Sequence, residues 1–146
     1  MKKFSKKSLG QNFLIDHRII NTIVKIAQIN NNDRILEVGP GTGALTKEII
    51  KQKPKDITVI EKDLRLVKIL REKYGDYIKI INDDMLNFSY KHYLNEKLII
   101  FGNLPYNISS QVLTQWIKIK NLDKFCKKFI LMFQKEVADR IIAETN

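Results

Sequence analysis

Arg34-Ile35-Leu36-Glu37-Val38-Gly39-Pro40-Gly41-Thr42-Gly43 is a short apolar run that breaks directly into three alternating glycines. The run reads as a strand and the glycines as a tight loop. Leu45, Ile49 and Ile50 then predict a helix that stops at Pro54. The same alternation spreads outward in both directions. Upstream, Asp16 is placed to cap a helix carrying Ile19, Ile20, Ile23, Ile26 and Ala27 on one broad face, and Asn30-Asn31-Asn32-Asp33 breaks it. Downstream, Ile57-Thr58-Val59-Ile60 is a second strand, and Asp63 caps a helix with Leu66, Val67, Leu70 and Tyr74 at helical spacing. Tyr77-Ile78-Lys79-Ile80-Ile81 is a third strand. A fourth, Lys97-Leu98-Ile99-Ile100-Phe101-Gly102, leads into a helix with Ile108, Val112, Trp116 and Ile119 facing one way. Residues 128–133 form a fifth strand, followed by a helix with Val137, Ala138, Ile141 and Ile142. Strands alternating with helices imply an α/β fold, a mostly parallel sheet covered by helices on both faces.

At 146 residues the chain is long enough for one domain with a real core, and 44% apolar with 29% charged residues is an ordinary globular balance. No apolar run approaches membrane-spanning length, and the basic start Met1-Lys2-Lys3-Phe4-Ser5-Lys6-Lys7 lacks the apolar stretch of a secretory signal. A single cysteine, Cys126, fits a reducing compartment, so the expected location is cytoplasmic, with no membrane partner. The net charge of +10 favours a polyanionic partner, although heavy use of lysine, isoleucine and asparagine is also what an A+T-rich coding sequence produces. His17 and His92 have no partners at metal-ligand spacing, and Trp116 reads as core.

Ligands of parallel sheets bind outside the carboxyl ends of the strands. Four strand ends here carry glycine or polar chemistry: Gly39 to Gly43, Glu61, Asp83-Asp84 and Asn103. Gly39, Gly41 and Gly43 let the backbone approach a ligand closely, and the following helix N-terminus favours a carboxylate or phosphate. Glu61, 22 residues after Gly39, can accept hydrogen bonds from both hydroxyls of a ribose. Gly39, Gly41 and Ala44 also satisfy the loose dinucleotide pattern, so a nicotinamide-dependent oxidoreductase stays in view. Gly43 and the extra acceptor at Asp84, suited to an adenine amino group, lean the other way.

The fourth strand ends in Asn103-Leu104-Pro105-Tyr106. The Asn103 side-chain oxygen and the Leu104 carbonyl, which Pro105 helps to orient, form a pair of acceptors suited to an exocyclic amino group. Tyr106 is available to stack on the same flat base. A plain strand-to-helix turn is the competing reading of the tetrapeptide.

Residues 36–46, Leu-Glu-Val-Gly-Pro-Gly-Thr-Gly-Ala-Leu-Thr, resemble the first motif of S-adenosylmethionine-dependent methyltransferases. Together with Gly10-Gln11-Asn12-Phe13-Leu14, Gly102-Asn103-Leu104-Pro105-Tyr106-Asn107-Ile108-Ser109-Ser110 and Gln134-Lys135-Glu136-Val137-Ala138-Asp139-Arg140, they resemble the ribosomal RNA adenine dimethyltransferases. The glycine loop and Gln134-Lys135-Glu136-Val137 are more similar to the small-subunit enzymes than to the large-subunit resistance enzymes. The resemblance implies a Rossmann-like methyltransferase fold and transfer of methyl groups from S-adenosyl-L-methionine to the N6 amino group of adenines in small-subunit ribosomal RNA or a pre-ribosomal small subunit. It implies cofactor contacts at Asn12, Leu14, Gly39, Gly41, Gly43, Glu61, Asp84 and Asn103, with Asp83 competing with Asp84. Asp84 is preferred because it stands four residues before Phe88. It implies acceptor positioning by Asn103, Leu104, Pro105 and Tyr106, with no metal.

By the same resemblance, residues 1–15 are a basic arm with a cofactor-contacting motif, and residues 16–146 are a partial catalytic domain. The family continues with two more strands and a helical domain, which leaves the fifth strand as an exposed edge or asks a separate polypeptide to cover it. The alternative to an enzyme is a non-catalytic RNA- or ribosome-binding remnant of the family.

Overall fold

A computed structural model describes residues 14–104 and 108–143. Five strands form one sheet in the order β3-β2-β1-β4-β5. They are β1 (Arg34–Val38), β2 (Asp56–Ile60), β3 (Lys79–Ile81), β4 (Leu98–Asn103) and β5 (Cys126–Met132), and every pairing is parallel. The helices are α1 (His17–Ala27), α2 (Ala44–Lys51), α3 (Leu64–Tyr74), α4 (Ser109–Ile117), the short α5 (Leu122–Phe125) and α6 (Lys135–Ile142). This is the Rossmann-like arrangement: the winding reverses between β1 and β4, and a crevice opens at their carboxyl ends.

Alternation along the strands divides the core. Ile35, Ile57, Val59, Ile99 and Phe101 point to the face covered by α1, α2 and α3, where Ile20, Ile23, Leu45, Ile49 and Leu70 meet them. Leu36, Val38, Ile60, Leu98 and Ile100 point to the other face, covered by Val112 and Trp116 of α4 and by Met85 and Phe125. Trp116 is fully buried and stacks on Phe129 with ring centroids 5.4 Å apart, as a core residue does. Phe88 and Tyr90 extend the same layer edge to face at 4.9 Å, so the connection between β3 and β4, which includes a 3-10 turn at Tyr90–Tyr93, serves as a covering element.

Both expected helix caps are formed. Asp16 accepts hydrogen bonds from the N–H groups of Arg18 and Ile19, and Asp63 accepts from that of Arg65. The buried stripe of α1 differs from the expected one. Ile20, Ile23, Val24 and Ala27 face the core, whereas Ile19 and Ile26 are 49% and 64% exposed. The i, i+3, i+4, i+7 set starting at Ile20 is the one that fits 3.6 residues per turn.

The third strand is shorter than expected because the N–H groups of Tyr77 and Ile78 both bond to the Tyr74 carbonyl, which holds them in the turn after α3. The fifth strand starts earlier, at Cys126, where α5 delivers the chain into register with Leu98. Ile108 and Ile119 flank α4 rather than belonging to it. No residue of α6 is buried, and Ile142 is 76% exposed, so the apolar face predicted there does not reach this core. β5 lies at one edge of the sheet with Phe129 to Met132 half-buried. Among the described residues, no helix is long and apolar enough to cross a membrane.

Candidate functional site

The glycine loop leaves β1 through a bond from the Gly39 N–H to the Ile60 carbonyl, 2.9 Å, and closes with the Gly43 N–H on the Pro40 carbonyl, 3.0 Å. Gly39, Gly41 and Gly43 have φ of 65°, 62° and 83°, the left-handed region that side chains disfavour. At Gly43 there is a second constraint. A Cβ there would stand 2.5 Å from Tyr74 Cε2 and 3.0 Å from Leu70 Cδ2, so α3 packs directly onto the loop. Gly43→Ala should therefore cost about 2 kcal/mol, combining left-handed strain with overpacking. For a domain of this size, that lowers the midpoint of thermal unfolding by roughly 4–8 °C, measurable by circular dichroism.

Glu61 follows β2 and is buried. Its carboxylate accepts one backbone bond on each oxygen, from the Gly41 N–H at 3.2 Å and from the Asp63 N–H at 2.9 Å. Burial pushes its pKa above the usual carboxylate value, and the backbone amides of Asp63, Gly41 and Lys62 oppose that rise. Asp84 lies beyond β3 and is half-buried; one oxygen accepts from the Leu86 N–H at 3.0 Å and the other from Lys62 Nζ at 2.6 Å. The Lys62 ammonium holds the Asp84 carboxyl below its ordinary value. Asp83 is exposed, and its side chain bonds the Asp84 N–H at 2.7 Å, so it stands beneath Asp84.

Asn103 is the last residue of β4 and is half-buried, and Leu104 after it is buried in the second core layer. Gly39 sits against this strand end. A Cβ on Gly39 would lie 3.8 Å from the Asn103 carbonyl oxygen and 3.5 Å from Met85 Cε. The fold thus brings together the ends of β1, β2, β3 and β4: Gly39 beside Asn103 and Met85, Gly41 on Glu61, and Asp84 next to Met85. Leu14 is half-buried and packs on the first core layer. Asn12, Pro105, Tyr106 and the lysines at 2, 3, 6 and 7 lie outside the described residues.

Three polar residues of this region were missed by reading the sequence for ligand contacts. Glu37, the next-to-last residue of β1, is buried, accepts a hydrogen bond from the Thr46 hydroxyl at 2.7 Å, and has its carboxyl pushed up to about 7 by loss of water. A lone acid inside an apolar strand, nine residues before a threonine on the covering helix, was the available signal. Asn82 and Lys62 are the others, and neither interrupts any pattern in the sequence.

The sequence matches the Ribosomal RNA adenine dimethylase family over residues 2–146. The chain belongs to that family. It is 52% identical, over 97% of its length, to the Ribosomal RNA small subunit methyltransferase A of Pelagibacter ubique, of which it covers 54%. Among solved structures it is similar to a dimethyladenosine transferase from Plasmodium falciparum, at 28% identity and a TM-score of 0.78, covering 91% of this chain and 47% of that one. It is also similar to the 23S rRNA methyltransferase ErmE, at 30% identity and a TM-score of 0.74, covering 88% of this chain and 50% of that one. The chain spans about half the length of the curated relatives it matches. Membership in the ribosomal RNA adenine dimethylase family sets the nicotinamide alternative aside.

Proposed function

We propose that this chain carries the S-adenosylmethionine-binding and adenine-accepting part of a small-subunit ribosomal RNA adenine N6,N6-dimethyltransferase acting in the cytoplasm. The observation that carries the reading is the register of β1 on β4, with Val38 beside Gly102, which makes the next residues, Gly39 of the glycine loop and Asn103 of the acceptor strand end, neighbours.

The residues fit the adenosyl group. The Glu61 carboxylate, with one oxygen on the Gly41 N–H and the other on the Asp63 N–H, is the proposed acceptor for the two ribose hydroxyls. Gly39 and Gly41, at positive φ, present backbone without a side chain where the ligand approaches. Asp84 offers an anionic acceptor on the adenine side, held ionised by Lys62. Asn12 and Leu14 of the N-terminal arm, which we assign to residues 1–15, together with Gly43 and Asn103, complete the proposed cofactor contacts. S-adenosylmethionine supplies a methyl already activated on a sulfonium.

The protein's remaining task is to prepare the nucleophile. An adenine amino nitrogen is conjugated with its ring and attacks poorly. When Asn103 Oδ1 and the Leu104 carbonyl accept both of its N–H bonds, the nitrogen is favoured in a pyramidal form with its lone pair aimed at the methyl. The same two acceptors stabilise the positive charge that develops on nitrogen. Asn103 is neutral and is not assigned as a base; as the methyl leaves the sulfonium, which becomes a neutral thioether, the methylated nitrogen releases its proton to water. Tyr106, after Pro105, stacks on a base that has left its helix or loop to enter the site.

Two measurements test the reading. Calorimetry should show binding of S-adenosylmethionine and no binding of nicotinamide dinucleotides. Labelled methyl should pass to undermethylated small ribosomal subunits and not to large-subunit RNA. Binding without transfer to either RNA would favour the non-catalytic remnant. A second polypeptide that covers the β5 edge belongs to the same proposal. Adding the complementary half of a curated relative should raise transfer by the chain.

A further inference from the structure

The carboxyl ends of β2 and β3 stay joined after their backbone ladder stops. The last backbone bond runs from the Glu61 N–H to the Ile81 carbonyl, 3.0 Å. Beyond it the Asn82 side chain takes over. Its amide nitrogen donates to the Glu61 carbonyl at 2.8 Å and to the Lys62 carbonyl at 3.2 Å. The Lys62 ammonium then crosses in the opposite direction to Asp84 Oδ2 at 2.6 Å. Two side chains, one from each strand end, thus tie the residue pair Glu61-Lys62 to the segment carrying Asp84.

Core packing does not account for this arrangement, because Asn82 and Lys62 are both exposed. Nor does stability, since an ion pair whose ammonium is open to solvent contributes little. β3 is an edge strand of three residues, so the backbone alone holds the Asp84 segment weakly against β2. A ligand spanning the two acids needs their separation fixed to a fraction of an ångström.

We propose that Asn82 and Lys62 are positioning residues that fix Asp84 relative to Glu61, and so set the spacing of the two acceptors presented to the ribose and adenine of a bound adenosyl group. The inference rests on the assignment of Glu61 and Asp84 to the cofactor in the preceding section. Asn82 acts by replacing the missing rungs of the ladder. Lys62 acts by restraining the Asp84 carboxylate, whose second oxygen is already held by the Leu86 N–H.

The test is a set of double-mutant cycles read by calorimetry with S-adenosylhomocysteine on the full chain. Asn82→Ala and Lys62→Met should each weaken binding about five- to tenfold. In an Asp84→Ala background neither should weaken it further, because the residue they position is gone. Lys62→Arg should retain most of the affinity. Unaltered affinity in both single variants overturns the inference, and so do losses that multiply with that of Asp84→Ala. A merely structural role would lower the unfolding temperature and leave the coupling near zero. Failure of the unaltered chain to bind S-adenosylhomocysteine overturns the cofactor reading itself, and this inference with it. That result is distinguishable because the unaltered chain is measured first.

Discussion

Asn103→Ala should reduce methyl transfer by at least about a hundredfold while changing S-adenosylmethionine affinity by less than about threefold. The reasoning starts from where the residue stands. Asn103 ends β4, the strand on the far side of β1 from Glu61 and Asp84, so the proposed ribose and adenine contacts lie on other strands and its own proposed cofactor contact is one of several. Its side-chain oxygen has one proposed task, accepting an N–H of the target amino group. Without it the nitrogen relaxes toward its planar, conjugated form, and the developing positive charge loses an acceptor. Substrate positioning and charge stabilisation are both lost at the transition state, so the rate falls and binding of the other substrate does not. Labelled-methyl transfer to undermethylated small subunits reads the rate, and calorimetry reads the affinity. Normal turnover in the variant would refute the role of Asn103.

Glu37→Gln should remove a pH dependence of stability worth roughly 3 kcal/mol. The Glu37 carboxyl is raised from 4.5 to about 7, first by burial, with the nearby Glu61 adding to the rise and the Thr46 hydroxyl opposing it. The folded chain therefore holds a proton there that the unfolded chain releases earlier. Stability from this group is fully present below pH 4.5 and is lost as pH rises through about 7. Glutamine keeps a carbonyl oxygen for the Thr46 hydroxyl and cannot ionise. The variant should gain on the unaltered chain as pH rises from 4.5 to 7, with the difference level above that range. Urea unfolding at a series of pH values gives the difference directly. A constant difference across the series would mean that Glu37 is not the titrating group.

Much of the frame was legible because a few residues carry unambiguous local instructions. Asp16 and Asp63 cap helices, Pro54 follows one, and three alternating glycines allow only a tight loop after β1. Strand alternation then placed Glu61, Asp84 and Asn103 at one edge without any coordinates. What escaped depends on three-dimensional neighbours. Val24 reaches the core and Ile26 does not, because hydrophobicity alone cannot choose between adjacent stripes of a helix. Tyr77 looks like a strand residue, yet its N–H is claimed by the preceding turn. The covering role of Phe88 and Tyr90 arises from edge-to-face packing across a connection that has no period of its own. Asn82 was invisible for a related reason: its bonds go to backbone carbonyls more than 19 residues away.

The reversal of winding between β1 and β4 divides the chemistry along a seam. On one side, the ends of β1, β2 and β3 carry most of the proposed methyl donor contacts; on the other, the end of β4 and the residues that follow it carry the proposed acceptor contacts. The two sides meet at the β1–β4 pairing and where Met85 and Leu86, after β3, pack against Leu104 and α4. Such a boundary lets the acceptor residues diversify in evolution, toward another base or another RNA, without rebuilding the donor side. Lineages that changed their target would then keep residues 34–84 nearly intact and record the change after Asn103.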